Sequence, residues 1–509
     1  MPGMGLNASL LMGARSLSVQ RSSLEVTGHN LANVNTPNAA RQRTSIMQDI
    51  TIPLGLGQQG MGSFVESIES LRSSFLDEMV KRQNSLQGLY ETRDQMASLV
   101  QDAMGESLST SETSATEGIS SATGIQQSLN KFFDAWQDLA ADPSSTIKRN
   151  EVITRGENLA MDIQSSYDRV LDVKAGIFEQ AGSVTSEINS LASDIADLND
   201  EIARIEINTQ STANDLRDRR QELVEQLSTL VNIDVTLNGT NDAMIDIELT
   251  DANGSGNDVI LVNGVDGAGA AGTHSLSVTA AFTKAANTVL QISATSATGT
   301  DYAPIAGAQE PTEGELGGLL LAANSDIGSQ TTVPGAAPAS SAPLTNKLHY
   351  FAGQMIALTN TLHATGYDQA GAAGGAFFTA GGTAANISVA ITDSDDIAAA
   401  GDDGAGASLG VLDGTVAQSI ADLRDNANTG ELYREAVADI GIIAQQAKRN
   451  AQAQELITQQ INNQREAVSG ISIDEEMTNM IAFQRAFEAS ARFITVIDQM
   501  MQRVVSMAQ

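Results

Sequence analysis

Three places in the sequence combine residue types that could support catalysis or bind a metal ion. His363 and Asp368 lie close together near a predicted helix end, and an imidazole beside a carboxylate can transfer protons. Residues 251–258 place oxygen-bearing side chains at alternating positions, and Ca²⁺ prefers oxygen ligands. A further acidic cluster contains Asp393, Asp395, Asp396, Asp402 and Asp403. The chemistry open to these groups is proton transfer or binding of a divalent cation.

A structural role is the better interpretation of all three groups. His363 has no second histidine or carboxylate at metal-ligand spacing, so we expect it to cap a helix and contact a turn. Residues 251–258 lack the final glutamate of a calcium-binding loop, which favours a β turn. The aspartates near residue 400 are typical of a solvated loop. We therefore expect no catalytic residue, no metal ion and no cofactor.

The composition argues against several classes of protein. The 509 residues include no cysteine, which excludes disulfides, thiolate nucleophiles and cysteine-ligated metal sites. The formal charge of −34 disfavours nucleic acids and anionic membranes as partners, because binding to both depends on Lys and Arg. No Gly-Lys-Ser/Thr phosphate loop occurs, and the histidines at positions 29, 274, 349 and 363 are scattered. We expect a protein that is not an enzyme and binds neither nucleic acid nor membrane.

Hydrophobic runs are too short for a membrane span or a cleavable signal peptide. A span needs roughly 18 or more apolar residues, and the run 316–323 is short and interrupted by glycines. Near the N-terminus, residues 10–12 are soon followed by Arg15 and Arg21, so no continuous apolar segment forms. If the chain leaves the cell, we expect it to use a route other than the general secretory pathway.

Both ends of the chain are predicted to be helices with an apolar face. Near the N-terminus, a narrow seam recurs every seven residues at Leu10, Leu17, Leu24 and Leu31. The C-terminal helix is predicted to begin near Ser472, with acidic residues in its first turn. Its apolar face includes Met477, Met480, Ile481, Phe487, Ile494 and Met501. Such faces need partners, either within a bundle or in an assembly.

Charge is distributed unevenly along the chain. Residues 1–45 carry a formal charge of +3 and residues 470–509 carry −2, so almost all of the negative charge lies between them. This distribution is expected if the two ends pack together and the acidic body faces solvent. The alternative is that the ends are two ordinary helices of a bundle.

The middle of the chain changes from helical to β-like periodicity. Between residues 188 and 205, apolar residues alternate three and four apart, and a second helix starts near Asn214, which predicts an antiparallel helical hairpin. After Asn232, alternation with period two predicts short strands to about residue 292. Helical patterns resume near Gly314.

Four segments resemble a known family. The first is 29–37, whose Asn30, Asn33, Thr36 and Pro37 match the Asn-Ile-Ala-Asn-x-x-Thr-Pro-Gly-Tyr signature of flagellar rod, hook and hook-associated axial proteins. The others are 215–223, 360–378 and 469–484. Together they resemble the family of hook-associated protein 1, the first hook-filament junction proteins. After Thr-Pro this chain has Asn38-Ala39-Ala40 instead of Gly-Tyr, so the tyrosine contact must be absent or made differently, whereas Asn38 can still adopt a left-handed conformation.

The resemblance implies an α+β fold built of nested parts. Residues 1–45 with 469–509 would form a terminal coiled-coil layer of N- and C-terminal helices. Residues 46–232 with 316–468 would form a body of long helices, and residues 233–315 an inserted β-rich domain.

The resemblance also implies a structural role outside the cell. The chain would assemble with itself into a ring at the hook-filament junction, after export through the flagellar type III apparatus. Its implied partners are the hook protein, the next junction protein and a cytoplasmic export chaperone on the C-terminal helix, around Met477 to Met501. The alternatives are another axial subunit, from the hook or the distal rod, or an acidic extracellular adhesion or calcium-binding module.

Overall fold

Long α-helices dominate the fold, and short antiparallel sheets lie within residues 42–70 and 233–296. The computed structural model describes residues 3–54, 57–104, 124–208, 212–239, 241, 243–249, 259–264, 273–279, 282–284, 286–296, 312–328, 339, 342–426 and 429–507. In chain order the helices are α1 (Gly3–Ala32), α2 (Ser74–Ala103), α3 (Ile125–Ala141), α4 (Thr146–Asn208), α5 (Asn214–Leu230), α6 (Gly314–Leu320), α7 (Leu344–His363), α8 (Thr415–Ala421), α9 (Leu423–Asn426), α10 (Thr429–Ser469) and α11 (Ile473–Met507). The strands are β1 (Gln42–Gln48), β2 (Thr51–Leu54), β3 (Gly57–Gly60), β4 (Ser63–Ser70), β5 (Ile233–Leu237), β6 (Ile245–Leu249), β7 (Ile260–Val262), β8 (His274–Val278) and β9 (Ile292–Ser296). The α+β class predicted from the sequence is confirmed.

The two terminal helices pack against each other in antiparallel orientation. Ser16 Oγ lies 2.9 Å from Ser490 Oγ, and fourteen residues further along α1, Asn30 Nδ2 donates to Glu476 Oε2 at 3.1 Å. Contacts that advance along α1 therefore move backwards along α11. The predicted start of α11 is also confirmed, because the Glu475 N–H donates to Ser472 Oγ at 3.4 Å.

A β-hairpin packs on α1. β1 pairs with β4, and β2 pairs with β3 at the far end of the same hairpin. Ser23 Oγ of α1 lies 3.0 Å from Thr44 Oγ1, and Arg15 forms an ion pair with Asp49. These strands lie where the sequence prediction begins the helical body, at residue 46. Burial does not alternate along β1, and along β4, where it does alternate, Phe64 and Ile68 are on the exposed side, so the hydrophobic pattern does not mark a buried face.

The body is a bundle around α2 and α4, and it contains the predicted helical hairpin. α4 and α5 run antiparallel, since Arg217 pairs with Glu206 and Arg220 donates to Asn199 Oδ1 at 2.7 Å. α2 packs against α10, α4, α5 and α6. Five fully buried aromatic side chains gather where α3 meets the loop after α7: Phe132, Phe133, Trp136, Phe377 and Phe378.

The predicted strands after residue 232 are present. β5, β6 and β7 form a three-stranded antiparallel sheet, and β8 pairs with β9. Burial alternates along β6, which explains the period-two pattern. Asn189 of α4 fixes β8 through hydrogen bonds to the backbone N–H and C=O of Leu276, both 2.8 Å. Within the described part of the chain, no helix is long and apolar enough to cross a membrane.

Candidate assembly interface

Most of the α11 surface is not covered by the rest of the chain. Among its described side chains only Glu476 and Ile497 are buried. Ten large apolar residues are exposed on it: Ile473, Met477, Ile481, Phe487, Phe493, Val496, Met500, Val504, Val505 and Met507. Phe493, Val496, Met500 and Val504 follow spacings of three and four, so they lie on one side of the helix and form what we call the α11 apolar row. A row of this kind favours contact with another protein surface.

The α11 residues singled out from the sequence lie on two different sides of the helix. Met480, Ile494 and Met501 are partly buried on the side of α1, where Ile494 lies against Gly13. Met477, Ile481 and Phe487 are exposed. The broad apolar face predicted from the sequence is therefore divided between an internal contact with α1 and a free surface.

The leucine seam of α1 is only partly covered. Leu10, Leu17, Leu24 and Leu31 are all partly exposed. The buried positions of α1 are instead small or polar residues and two valines: Gly13, Val19, Ser23, Val26, Thr27 and Asn30. The seam lies at the edge of the helix pair, since α1 is enclosed by α11 on one side and by the β-hairpin on another.

Asn30 of the axial-protein motif joins three elements. Its side-chain amide donates to the Gln42 carbonyl at 2.8 Å, and its Oδ1 accepts from the Gln42 N–H at 3.0 Å. It also donates to the buried carboxylate of Glu476. Because a buried amide is costly unless its polar atoms are paired, asparagine at this position specifies where β1 and α11 meet α1.

The rest of the motif forms the turn that follows α1. The backbone N–H of Asn33 donates to the carbonyl of His29, and Thr36 Oγ1 donates to Asn33 Oδ1 at 3.3 Å. Pro37 is exposed in the turn. Asn38 has a φ of 57°, so it takes the left-handed conformation that was predicted for it.

Two arginines flank the β-hairpin, and Arg41 links it to α11 while Arg72 links it to the body. Arg41 pairs with Glu475 and Glu476 at 2.6 and 2.7 Å. Arg72 pairs with Asp218 at the tip of the α4–α5 hairpin at 3.0 Å and also donates to the Asn38 carbonyl. Burial raises the pKa of the Asp218 carboxyl, while the charge of Arg72 acts against that shift. Arg72 and Asp218 are 146 residues apart in the sequence, so no local sequence pattern predicts their ion pair.

Two cavities flank the turn after α1. One has a volume of about 320 Å³ and lies between this turn and the end of α10, and the other has about 290 Å³ and lies beside α5. Ala39 and Ala40 line both cavities. The small side chains at the position of the family tyrosine therefore leave space at the joint between the terminal helices and the body.

The histidine and aspartate groups considered for catalysis have structural contacts. His363 is buried, donates from Nδ1 to the Gly375 carbonyl at 2.8 Å and accepts at Nε2 from the Ala398 N–H at 2.9 Å. Both ring nitrogens are thus engaged by the backbone, and burial lowers the pKa of the imidazole. Asp368 accepts from the Ala372 N–H instead of contacting the ring.

The acidic groups considered for metal binding show turn contacts or lie outside the described residues. Asp402 and Asp403 each accept hydrogen bonds from backbone N–H groups two and four residues further on. Residues 251–258 are outside the described part of the chain. Among the residues that are described, no three His, Asp or Glu side chains are grouped so that they could hold a metal ion.

Comparisons with known proteins agree on one family. The model of the flagellar hook-associated protein FlgK helical domain matches residues 114–378, and the C-terminal model of flagellar basal body rod FlgEFG proteins matches residues 462–507. Flagellar hook-associated protein 1 of Bacillus subtilis (strain 168) is 27% identical over 97% of this chain and 96% of its own length. Its counterpart in Escherichia coli (strain K12) is 25% identical over 98% and 100%. The structure of the flagellar hook junction protein FlgK from Burkholderia pseudomallei has the same fold, with a TM-score of 0.59 and 14% identity, over 77% of this chain and 100% of that one.

Proposed function

Because this chain belongs to the flagellar hook-associated protein FlgK family, we propose that it forms a ring of identical subunits between the hook and the filament. Family membership makes it a structural component of the bacterial flagellum. The ring would lie outside the cell, after export through the flagellar type III apparatus. Within it, subunits would adapt the flexible hook to the stiffer filament.

The α11 apolar row is the observation that supports this proposal best. Burying one large apolar side chain contributes roughly 1.5–3 kcal/mol, so the four members of the row offer substantial energy for assembly. In the isolated chain part of this energy is not used, because Val496, Met500 and Val504 remain 51%, 42% and 43% exposed, while Phe493 lies at the edge of the contact with Gly13 of α1. We infer that neighbouring axial subunits cover the row in the flagellum and that an export chaperone covers the same helix beforehand.

We also propose a division of labour between the parts of the chain. α1, the β-hairpin and α11 form the terminal unit, which packs along the axis against the hook protein and the next junction protein. The helical body makes the lateral contacts, with the β-rich part of residues 233–315 inserted in it. The hairpin belongs to the terminal unit because β1 and β4 pack on α1, so this unit extends beyond residue 45 to about residue 70.

The test replaces the chromosomal gene with variants and follows filament growth. We expect Val496→Ser, Met500→Ser and Val504→Ser together to leave completed hooks without filaments and to release flagellin into the medium, because the row no longer holds its neighbours. Electron microscopy and flagellin immunoblots of the medium measure both effects. The thermal unfolding temperature of the purified variant should stay close to that of the parent, since all three side chains are exposed.

A control variant changes three exposed apolar residues elsewhere, Leu99→Ser, Leu237→Ser and Val289→Ser. It should grow normal filaments, which separates loss of the row from a general loss of surface hydrophobicity. Normal filaments in a strain without the gene would contradict the junction role itself. Normal filaments in the triple α11 variant would contradict the role given to the row.

A further inference from the structure

The outer side of α10 carries an uncovered row of apolar and cationic residues. α10 packs on α2, where Gln454 Nε2 donates to the Gln83 carbonyl at 3.2 Å, and on α7, where the ring of Tyr433 packs against that of Phe351. Its buried residues, such as Ile440 and Ala447, share the side opposite the exposed one. The exposed side presents, at spacings of three and four, Ile442, Gln446, Arg449, Ala453, Leu456 and Gln460. We call these six residues the α10 outer row. All are exposed, Ile442 by 57% and Leu456 by 67%.

The cation of this row is unusual in so acidic a chain. Arg449 is exposed, as is its neighbour Lys448, which lies outside the row, and no carboxylate of the described residues lies within ion-pair distance of either. The chain as a whole has 28 Lys and Arg against 62 Asp and Glu, so most surfaces are negative. A surface that combines apolar side chains with an unpaired positive charge is therefore complementary to one that combines apolar side chains with negative charge.

The outer side of α4 has this complementary character. Its exposed residues, again at spacings of three and four, are Ile147, Asn150, Thr154, Glu157, Met161, Ser165 and Asp168, which we call the α4 outer row. Ile147 is exposed by 81% and Met161 by 57%. Glu157 and Asp168 have no ion-pair partner among the described residues. The row thus joins isolated apolar side chains with free carboxylates.

The two rows lie on different helices of the body. α2 packs against both α10 and α4, and each outer row lies on the side of its helix opposite the buried residues. A pair of complementary surfaces on different elements of one subunit permits head-to-tail contact, which closes into a ring when the rotation between copies allows it. In a symmetric contact between the α10 outer rows of two copies, Arg449 of one copy would instead face Arg449 of the other, and the two positive charges would repel.

We propose that the α10 outer row of one copy binds the α4 outer row of the next copy, and that this is the lateral contact of the ring. The inference rests on the proposed ring and names the surfaces that build it. Apolar contact comes from Ile442 and Leu456 against Ile147 and Met161. Arg449, midway between Ile442 and Leu456, pairs with Glu157, which lies between Ile147 and Met161 on α4.

The absence of cysteine from the chain makes the contact directly testable by cross-linking. Flagella are isolated from a strain whose only copy of the gene carries both Leu456→Cys and Met161→Cys. They are treated with a bifunctional maleimide that is long enough to join cysteines on two helices packed against each other. We expect a ladder of dimers and higher oligomers of this chain on denaturing gels. Both sites are exposed, so the substitutions leave folding unchanged.

The single-cysteine strains identify the kind of contact. Neither Leu456→Cys nor Met161→Cys alone should give dimers under the same treatment. Dimers from Leu456→Cys alone would show a symmetric α10 contact and overturn the proposal. Absence of any ladder from the double variant in flagella with normal filaments would overturn it too, while leaving the junction role intact.

Charge reversal gives a second, independent test. Arg449→Glu should lower the fraction of cells with filaments at least tenfold, because two carboxylate-bearing surfaces then face each other. Adding Glu157→Lys to the same chain should restore filaments to at least half of the parental level. An equal defect with and without the compensating change, in chains whose unfolding temperatures match the parent, would contradict the pairing.

Discussion

Buried histidines hold loops against the helices of the body as neutral imidazoles. The Ala384 N–H donates to Nδ1 of His349 at 3.2 Å, so Nε2 carries the proton, and it lies 3.1 Å from the Tyr167 hydroxyl. Burial lowers the pKa of His349 to about 4 and raises that of Tyr167 to about 12. His363 has the other tautomer, with the proton on Nδ1 towards the Gly375 carbonyl.

We therefore expect acid to destabilise the fold through His349. As the pH falls from about 6.5 towards about 4, the unfolded chain binds a proton that the folded chain does not bind, so the free energy of unfolding decreases. The loss from this group alone is roughly 2–3 kcal/mol at the acid end. Urea unfolding at several pH values measures it, and His349→Gln should show a shallower dependence in this range. If the free energy of unfolding of parent and variant depended equally on pH, the acid sensitivity would not come from His349.

Individual residues were predictable from the sequence where their contacts are local. The left-handed Asn38 follows from the turn chemistry of its own segment, and the turn contact of His363 follows from the adjacent glycines. Arg72 and Asp218 come together only because the α4–α5 hairpin reaches the terminal unit. The burial of Glu476 depends on α1 in the same way. Tertiary contacts of this kind have no signature in a local pattern.

At the scale of elements, α2 crosses α5 and α6 at a point where a glycine is required. A Cβ atom added at Gly88 would lie 2.1 Å from the Thr229 carbonyl oxygen at the end of α5 and 3.0 Å from the Glu315 nitrogen of α6. Both neighbours are backbone atoms, which cannot move aside as a side chain can. The absence of a side chain at this residue therefore sets how closely three helices approach.

We expect Gly88→Ala to lower the free energy of unfolding by about 1–3 kcal/mol, because the added methyl forces the helices apart. The matched control is Gly176→Ala on α4, where the added Cβ has no atom within 4 Å. That change should stabilise the protein by roughly 0.5–1 kcal/mol, since alanine favours helix over glycine. Urea unfolding of both variants measures the difference. Equal stability of the two variants would exclude the close crossing.

The elements found by sequence reasoning are those with a regular period. The heptad on α4 and the start of α5 predicted their hairpin, and period-two alternation predicted the strands from β5 onwards, although β9 begins later than the predicted piece. The β1–β4 hairpin was missed because its apolar residues Ile46, Phe64 and Ile68 are exposed, so no hydrophobic alternation marks a buried face. The leucines of α1 do recur every seven residues, but α11 and the hairpin cover other sides of that helix, so the seam stays partly exposed.

At the scale of the whole molecule, negative charge opposes the compact state. With a formal charge of −34, carboxylates that find no cation repel one another more strongly in the folded chain than in the expanded one. The ion pairs of the fold act in the opposite direction, but among the described residues they use only a minority of the acidic side chains. We therefore expect repulsion to be the larger of the two effects.

Salt should for this reason raise the thermal unfolding temperature. Between about 0.02 M and about 0.3 M NaCl, screening shortens the reach of the repulsion to less than 10 Å or so, and we expect a rise of a few degrees. Differential scanning calorimetry measures the shift. An equal concentration of sucrose, which does not screen charge, serves as the control. A falling temperature with NaCl would mean that the ion pairs dominate.

The pairing of α1 with α11 also depends on the order in which the ribosome synthesises the two helices. A ribosome adds roughly 5–20 residues per second, and α11 begins roughly 440 residues after α1 ends, so α1 exists for roughly 20–90 seconds before its partner has been made. A chain broken off before α11 never acquires that partner and leaves the α11 side of α1 uncovered. The terminal pair thus distinguishes copies that contain α11 from copies that lack it.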